Sequence, residues 1–298
     1  MTAHPFDWVD AFAEAPFGGN PCMVVHDADP VPEAARTALV RETSLSECAY
    51  VVASDRADFG ARYYLADREI GFAGHPTVAT VVSLVERGRV PLSAGRAELT
   101  LEVGAGVLPI EVALEKGRPR VTMTQPAPEF GATHAPAEIA DLYHLSPDDI
   151  LGMPQTVSTG TPFCIAVLAS QDALRRARLD TAALGASRRR AGHPLADMME
   201  PFLVTLEGAT EAGDTFSRLL LAPPLPAEDS FTGSATGCMA AYLWARDLIE
   251  SPRFTAEQGH WMGRPGRAEV EVLGPRDAIG GVRVSGAGAV LMRGMVDL

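Results

Sequence analysis

The sequence predicts an α+β fold made of two similar halves with a site between them. Two glycine-rich segments carry this prediction, and we call them the first elbow, Gly71 to Thr77, and the second elbow, Asp229 to Gly237. Each follows an apolar run typical of a strand and precedes a long helix rich in Ala, Val and Leu. In addition, Asn20-Pro21 and Thr161-Pro162 each precede an apolar strand pattern. This repetition, with a modest drift in register, indicates a diverged duplication.

The first half alternates short strand and helix patterns. Phe6 to Phe12 indicates a strand, and a turn rich in Gly, Asn and Pro separates it from a second strand at Cys22 to His26. Apolar spacing indicates a helix from Val31 to Glu42, and Glu47 then stands just before another apolar run. We expect further strands at Arg62 to Leu65, Glu98 to Val103, Val107 to Val112 and Arg120 to Met123, and a helix from Thr77 to Glu86.

The second half repeats this order after a segment rich in Pro, Asp and His. We interpret residues 131–149 as the connection, with one half at 1–130 and the other at 150–287. The expected elements are strands at Phe163 to Leu168, Phe202 to Leu206, Phe216 to Leu221, Ala268 to Leu273 and Val282 to Val284, and helices at Thr181 to Arg190 and Ala235 to Ile249.

The two elbows predict a binding site for a carboxylate. The apolar run from Tyr63 to Ile70 leads into the first elbow, and Arg218 to Leu221 leads towards the second. Pro76 suits the first turn of its helix, and Ser234 is a candidate cap for the other. Because helix N-termini present unpaired N–H groups and a positive dipole end, two of them facing one cleft would attract an anion. Gly74 and Gly233 would let a ligand approach the backbone closely.

Composition excludes several classes of partner. The chain has 298 residues, 47% of them hydrophobic, a net charge of −13 and a mean hydropathy of +0.06. This acidic balance disfavours nucleic acid as a partner, and Arg188 to Arg190 is interpreted as a solvated helix end. No apolar run is long enough to span a bilayer, and the first residues lack a signal-peptide pattern, so we expect a cytoplasmic protein without a membrane partner.

Cofactor and metal chemistry are also disfavoured. The only lysine, Lys116, lies in a predicted hairpin turn, where it could not serve as a desolvated Schiff-base lysine. The chain has neither a phosphate-binding P-loop nor a G-x-G-x-x-G frame, and its histidines lack metal-ligand spacing. The four cysteines are expected to be buried thiols. We therefore expect neither a cofactor nor a metal.

Four motifs, in this order and spacing, resemble the PhzF family of phenazine-biosynthesis-like isomerases over nearly the whole chain. They are Pro16-Phe17-Gly18-Gly19-Asn20-Pro21, Leu45-Ser46-Glu47, Gly74-His75-Pro76-Thr77 and Glu228-Asp229-Ser230-Phe231-Thr232-Gly233-Ser234-Ala235. The resemblance implies a diaminopimelate-epimerase-like fold, with two pseudo-symmetric halves that each wrap a curled, mostly antiparallel sheet around a central helix. It also implies that the last strand, within residues 288–298, completes the first half, and that the protein is a homodimer.

Residue by residue, the resemblance makes Glu47 the catalytic acid/base and places His75, Asp229 and Ser234 in the substrate pocket. In the enzyme that gives the family its name, trans-2,3-dihydro-3-hydroxyanthranilate is isomerised by moving a proton from one ring carbon to another. A carboxyl in a closed pocket can take and return such a proton without a cofactor. Ser230 departs from the family pattern, which often has proline there, and this leaves the substrate open.

Each of these residues could instead have a structural role, and the protein could have a different activity. Glu47 could be an exposed or ion-paired acid, His75 a structural histidine, and Asp229 or Ser234 a helix cap. A racemase or epimerase of the same fold would need two facing cysteines, but the matching positions are approximately Ala73 and Thr232. A non-catalytic small-molecule binder is the remaining alternative, although a binder has no need for an acid/base at residue 47.

Overall fold

A computed structural model of the chain describes residues 2–189 and 200–298, with seventeen strands and six α-helices in those ranges. The strands are β1 Ala3–Ala11, β2 Asn20–Val25, β3 Cys48–Val52, β4 Phe59–Tyr64, β5 Glu69–Ile70, β6 Arg96–Val103, β7 Gly106–Glu115, β8 Arg118–Gln125, β9 Glu129–Thr133, β10 Ile150–Ser158, β11 Pro162–Leu168, β12 Phe202–Thr205, β13 Thr215–Leu220, β14 Glu228–Asp229, β15 Arg253–Gln258, β16 Gly266–Leu273 and β17 Gly281–Asp297. The helices are α1 Glu33–Thr43, α2 Gly74–Glu86, α3 Pro136–Tyr143, α4 Gln171–Arg176, α5 Thr181–Arg188 and α6 Gly233–Ala245.

The strands of the first half form a closed ring. Each is hydrogen-bonded to the next in the order β1, β2, β3, β4, β6, β7, β8 and β17, and β17 then pairs with β1. The β2–β3 and β4–β6 pairs are parallel, and the other pairs are antiparallel. Because β17 pairs with both β8 and β1, this ring has no unpaired edge strand. Helix α2 lies inside the ring and packs against β1, β2, β3, β8 and β17.

The second half repeats the same series of pairings. β10 pairs with β11, β11 with β12, β12 with β13, β13 with β15, β15 with β16 and β16 with β17, and the parallel pairs fall at the equivalent two places. Short strands β5 and β14 pair with β4 and β13 and occupy equivalent positions before the elbows. The α+β fold with two pseudo-symmetric halves, predicted from the elbows, is therefore confirmed.

Strand β17 is hydrogen-bonded within both halves. Residues 282–287 pair with β8 and residues 288–297 pair with β1, while residues 281–285 also pair with β16. The segment that closes the ring of the first half is thus continuous with the last strand of the second. The boundaries at 130 and 150 remain a prediction.

Helices α2 and α6 are the centres of the two halves. Every residue from Gly74 to Leu84 in α2 and from Gly233 to Leu243 in α6 is buried. Their Ala/Val/Leu-rich composition explains this, because a helix that is apolar on all sides is stable only when it is surrounded by protein. Towards its C-terminal end, α2 is anchored by a bond of 2.5 Å from Ser83 Oγ to the buried carboxylate of Asp7 on β1.

The N-termini of these two helices meet backbone to backbone. A Cβ atom built on Gly74 would lie 2.5 Å from Ser234 N and 2.6 Å from Gly233 Cα. A Cβ atom on Gly233 would lie 3.2 Å from Gly74 Cα. Gly74 is therefore needed because no side chain fits between the two helices, and Gly233 is needed because its Cβ atom would also lie 2.8 Å from the ring of Phe12.

Several local predictions need correction. The run from Tyr63 to Ile70 is two antiparallel strands, β4 and β5, because Asp67 and Arg68 form a turn closed by a bond from Leu65 N to Arg68 O. Ser234 does not cap α6: the helix begins at Gly233, its N-cap is Thr232, and Ser234 lies in its first turn. The helix ends at Ala245 rather than Ile249, since Asp247 adopts the left-handed conformation (φ 57°) that terminates helices.

The segment between the halves is more regular than expected. It contains β9, which pairs with β10, and the amphipathic helix α3, whose buried residues Ile139 and Tyr143 join a hydrophobic cluster of the second half. The predicted hairpin turn at Lys116-Gly117 is confirmed, with both residues at positive φ. The helix predicted to reach Arg190 is described as far as Arg188; Arg190 lies outside the described residues. Within the described residues, none of the helices has the length and apolar character needed to cross a bilayer.

We predict that Gly74→Ala destabilises the protein by about 2–3 kcal/mol, because the new methyl group would have to displace the backbone of the facing helix. The free energy of unfolding, measured by urea denaturation, tests this. Gly280→Ala is the matched control: its Cβ would meet nothing closer than Leu273 O at 3.8 Å. Equal stabilities of the two variants would contradict a direct contact between the helix N-termini.

Candidate active site

A small cavity lies between the halves at the two elbows. Its volume is about 130 Å³, and both halves contribute to its walls. The apolar lining includes Leu65, Ile70 and Phe72 from the first half and Phe163, Leu219 and Leu221 from the second. The polar lining consists of Ser46, Glu47, Arg68, Thr161, Asp229, Thr232 and Ser234. Of the predicted site residues, Glu47, Asp229 and Ser234 therefore face one space.

Glu47 is held at this cavity by the end of α1 and the start of β3. Ser44 ends the helix in the left-handed conformation (φ 55°), Leu45 is buried, and Cys48 begins the strand. The Glu47 side chain is only 16% exposed, and its Oε2 atom receives no hydrogen bond from the described residues. Burial raises the pKa of Glu47 well above its usual range, and the nearby charge of Asp229 raises it further. Glu47 is thus neither a solvated acid nor a member of a satisfied ion pair.

Asp229 is buried too, but its carboxylate is well supplied with hydrogen bonds. Oδ1 accepts from Asn20 Nδ2 at 2.8 Å, and Oδ2 accepts from Thr232 Oγ1 at 2.6 Å. Burial raises the pKa of Asp229 to about 6, while hydrogen bonds from Thr232, Asn20 and Ser46 oppose this rise. Burial favours the protonated form of both carboxyls, but hydrogen bonds favour ionised Asp229, whereas Glu47 Oε2 receives none, so Glu47 holds a proton more strongly than Asp229 does.

His75 lies behind the cavity surface, in the first turn of α2. Its Nδ1 is 3.7 Å from Glu47 Oε2 and 3.1 Å from Asn20 Nδ2. Its Nε2 has no hydrogen-bond partner among the described residues. Burial lowers the pKa of His75 to about 3, so the ring is neutral at physiological pH. Contact with Glu47, rather than a position on the cavity wall, links it to the site.

Gly74 and Gly233 lie at the base of the site, where the two helix N-termini touch, and neither is among the residues that line the cavity. Ser234, one residue further along α6, does line it. The first N–H groups of each helix have no intrahelical acceptor, so both dipoles present partial positive charge at this point. The arrangement can accept an anionic group at the start of α6, beside two carboxyls that differ in proton affinity.

Several residues of the site have no role in the sequence-based prediction. Asn20 belongs to a quoted motif, but nothing in the sequence shows that it contacts Asp229. Ser46 and Thr232 are adjacent to predicted residues and could be found only by that adjacency. Arg68 lies in the turn between β4 and β5, where the sequence predicts a continuous strand. It is the one cationic side chain among the described residues that line the cavity. It is 60% exposed and pairs with its neighbour Asp67.

The cysteines form no facing pair at this cavity. All four are buried, and none lines it. Burial raises the pKa of Cys48 to about 12 and that of Cys238 to about 11, and it raises the pKa values of Cys22 and Cys164 as well. Ala73 and Thr232 are the N-cap residues of α2 and α6. In the described ranges, no three His, Cys, Asp or Glu side chains are grouped to hold a metal ion.

A larger groove of about 1060 Å³ lies elsewhere, along β7, β8, β15 and β16. Half of its lining residues are charged, and several of these pair with one another, such as Arg253 with Glu271 at 2.6 Å and Arg283 with Glu111 at 2.5 Å. It contains none of the predicted site residues. The smaller cavity at the elbows therefore remains the candidate active site.

Comparisons with known proteins identify relatives that align with nearly the whole chain. A trans-2,3-dihydro-3-hydroxyanthranilate isomerase of Pseudomonas fluorescens is 29% identical over 304 residues, covering 99% of this chain and 100% of that protein. YfhB of Bacillus subtilis, named only as an uncharacterized isomerase, is 29% identical over 290 residues, covering 95% of this chain and 94% of that protein.

Solved structures show the same architecture. A crystal structure of a Bacillus anthracis phenazine biosynthesis protein of the PhzF family matches with a TM-score of 0.85 and 26% identity, covering both chains completely. A hydroxyproline epimerase of Agrobacterium vitis matches at TM-score 0.69 and 14% identity, covering 99% of this chain and 92% of that one, which shows the fold alone. The family described as phenazine biosynthesis-like protein matches residues 9–294. The chain therefore belongs to the PhzF family of phenazine-biosynthesis-like proteins.

Proposed function

We propose that this protein is a cofactor-independent isomerase that moves a proton between carbon atoms of a small cyclic or amino carboxylate. Glu47 acts as the general acid/base, and a compound like trans-2,3-dihydro-3-hydroxyanthranilate is the substrate class. Isomerase names among relatives that align over nearly the whole chain support the reaction class. At 26–30% identity those names do not extend to the substrate. A homodimer and a cytoplasmic location remain predictions.

The observation that carries this proposal is the state of Glu47. Its carboxyl faces a largely apolar cavity, receives no hydrogen bond at Oε2 from the described residues, and has a raised pKa. A structural acid at such a position would be costly, because an unsatisfied buried carboxyl stabilises nothing. A group that must both take and return a proton needs a pKa near that of its working pH, and burial supplies this.

The chemistry follows from the arrangement around the cavity. The ionised Glu47 takes a proton from one substrate carbon and becomes a neutral acid, and the substrate keeps the electron pair as a delocalised enolate. Glu47 then returns the proton to a second carbon, so no atom or electron is gained or lost. The N–H groups in the first turn of α6, where Ser234 lines the cavity, would hold the substrate carboxylate, and Asp229 and Ser46 would hold its amine or hydroxyl group. Apolar walls exclude water that would exchange the proton.

Glu47→Gln should reduce turnover of trans-2,3-dihydro-3-hydroxyanthranilate by about 10²–10⁴-fold, because an amide cannot carry the proton. Proton NMR in D₂O, following both substrate-signal loss and product formation, measures this. Glu42→Gln is the matched control: this glutamate near the end of α1 is exposed and does not line the cavity, so its substitution should leave turnover unchanged. Equal rates for wild type and Glu47→Gln would remove Glu47 from the mechanism.

Two other results would point to different functions. If the wild-type protein binds the compound tightly but exchanges none of its carbon-bound protons, it is a binder rather than an isomerase. If it neither binds nor converts the compound, the substrate class must change, and other cyclic and amino-substituted carboxylates become the next probes.

We predict that kcat/KM is low in acid and rises as the pH passes through the raised pKa of Glu47, since the base form must be present at the start. Asp229 raises that pKa, so Asp229→Asn should move this acid limb to lower pH: removing a negative charge makes ionisation of Glu47 easier. A pH–rate profile, or the carboxyl ¹³C titration of labelled Glu47 where turnover is too slow, records the shift. An acid limb at the usual pKa of glutamate would show that Glu47 is solvated in the working enzyme.

A second candidate is an amino-acid racemase or epimerase, since a hydroxyproline epimerase shares the fold. A two-thiol reaction would need Cys48 or Cys164 to ionise, yet both are buried and have raised pKa values. Cys48→Ala and Cys164→Ala should therefore retain turnover within a few-fold of wild type, in the same NMR assay. Loss of turnover in either variant, with Glu47→Gln still active, would favour the racemase.

A further inference from the structure

Asn20 is the only asparagine in the chain, and it joins the two halves at the active site. It is the first residue of β2 and is 2% exposed. Its amide nitrogen Nδ2 lies 2.8 Å from Asp229 Oδ1, 2.9 Å from the carbonyl oxygen of Phe231 and 3.1 Å from His75 Nδ1. Two hydrogens on one nitrogen thus face three acceptor positions, two in the second half and one in the first.

This network determines the orientation of the Asn20 amide. The carbonyl oxygen of Phe231 can only accept a hydrogen bond, and the carboxylate of Asp229 accepts as well. If the amide were turned over, its oxygen would face both of these oxygens. The NH₂ group must therefore point towards them, and towards His75 Nδ1 at the same time.

The tautomer of His75 follows from this orientation. An amide nitrogen donates hydrogen bonds and does not accept them, so a proton on His75 Nδ1 would face another donor at 3.1 Å. Nδ1 must carry the lone pair. Because the buried ring is neutral, its single proton is on Nε2.

We propose that Asn20 is a positioning residue that holds His75 in the Nε2–H tautomer and Asp229 in its ionised form, so that Glu47 retains the mobile proton of the site. His75 Nδ1 is 3.7 Å from Glu47 Oε2, too far for a hydrogen bond but close enough for its charge to matter. The partial negative charge of an unprotonated Nδ1 disfavours the Glu47 carboxylate and so favours a protonated Glu47, whereas the dipole of an Nδ1–H group would stabilise the carboxylate and make it a weaker base.

The other titratable groups near Glu47 do not compete with it for the mobile proton of the site. Cys22, Cys48 and Tyr63, on β2, β3 and β4, have pKa values raised by burial and stay neutral. Glu228, next to Asp229, is paired with Arg218 at 2.7 Å. Arg68 is at the solvent-exposed edge of the cavity, where its charge is screened by water and by Asp67.

Long-range ¹H–¹⁵N spectra of the histidine rings test the proposal, with His75 assigned by the signal missing in His75→Gln. The wild type should show a protonated Nε2 and an unprotonated Nδ1 at neutral pH. In Asn20→Leu, which removes the donor, nothing keeps the proton off Nδ1, and the proton should move to this atom, beside Glu47 Oε2. A wild-type ring protonated on Nδ1 overturns the proposal without any variant, and so does a folded Asn20→Leu protein with an unchanged tautomer.

Asn20→Leu tests the link to Glu47. It removes the donor to Asp229 and frees Nδ1 to be protonated, and both changes should lower the pKa of Glu47 in a ¹³C carboxyl titration. Gln258→Leu is the control: it removes another buried amide of this network, which donates to the carbonyl oxygen of Asp229, and among the hydrogen bonds of the described residues none joins Gln258 to His75. In this variant the tautomer of His75 should match that of the wild type. A Glu47 pKa that stays constant in folded Asn20→Leu overturns the link.

The effect of the His75 tautomer and the Glu47 proton on turnover rests on the proposed function. The NMR spectra that locate these protons are recorded without substrate. If the wild type converts dihydrohydroxyanthranilate, Asn20→Leu should shift the acid limb of its pH–rate profile to lower pH, a change that a loss of stability alone would not cause. If the wild type converts nothing, the substrate proposal fails, while the ring spectra still decide the role of Asn20.

Discussion

The direct contact between the N-termini of α2 and α6 is the constraint on which the rest of the structure depends. Gly74 and Gly233 allow the two backbones to touch, and this contact places both positive helix ends at one point between the halves. Each helix is buried along most of its length inside its own sheet, so neither can shift without disturbing a core. The cavity therefore has a rigid base, and the reacting groups are supplied by the segments around it.

The two halves have the same pairing scheme but contribute different chemistry. The first half supplies Glu47, on the segment before β3, and His75, at the start of α2. The second half supplies Asp229 and Thr232, on the segment before α6. The two carboxyl groups therefore have different environments. Both oxygens of Asp229 accept hydrogen bonds, whereas Glu47 Oε2 accepts none from the described residues. Two acids with different proton affinities, in one apolar space, are a recurring basis of acid/base catalysis.

Much of the fold could be predicted because its signals are local. Apolar periodicity located both central helices within a few residues, and the turn at Lys116 has the short polar sequence that a tight hairpin requires. The failures have equally local causes. β5 has only two residues, which is too short for any period, and β9 is an exposed edge strand without apolar alternation. The end of α6 was missed because Asp247 terminates it through its backbone conformation and not through a glycine.

The site was predictable only in part, because its chemistry depends on contacts between residues far apart in the chain. The local sequence around Glu47 is typical of an acidic residue in a linker, and only the motif resemblance predicts a catalytic role for it. The structure adds contacts that no motif contains: Asp229 lies near enough to raise the pKa of Glu47, and an amide from a third segment, that of Asn20, lies 3.1 Å from His75 Nδ1. The glycines of the elbows were recognised, but helix-to-helix packing was an unforeseen reason for them.

Strand β17 has a consequence for how the protein is made. It closes the ring around α2, yet the ribosome synthesises it after the whole second half. The first half therefore emerges with β1 and β8 both lacking a neighbour, and it cannot reach its final form as an independent unit during translation. Synthesis order and assembly order are thus different in this protein. A nascent chain that is released early would expose the open edges of a half-built ring, which are prone to pair with other chains.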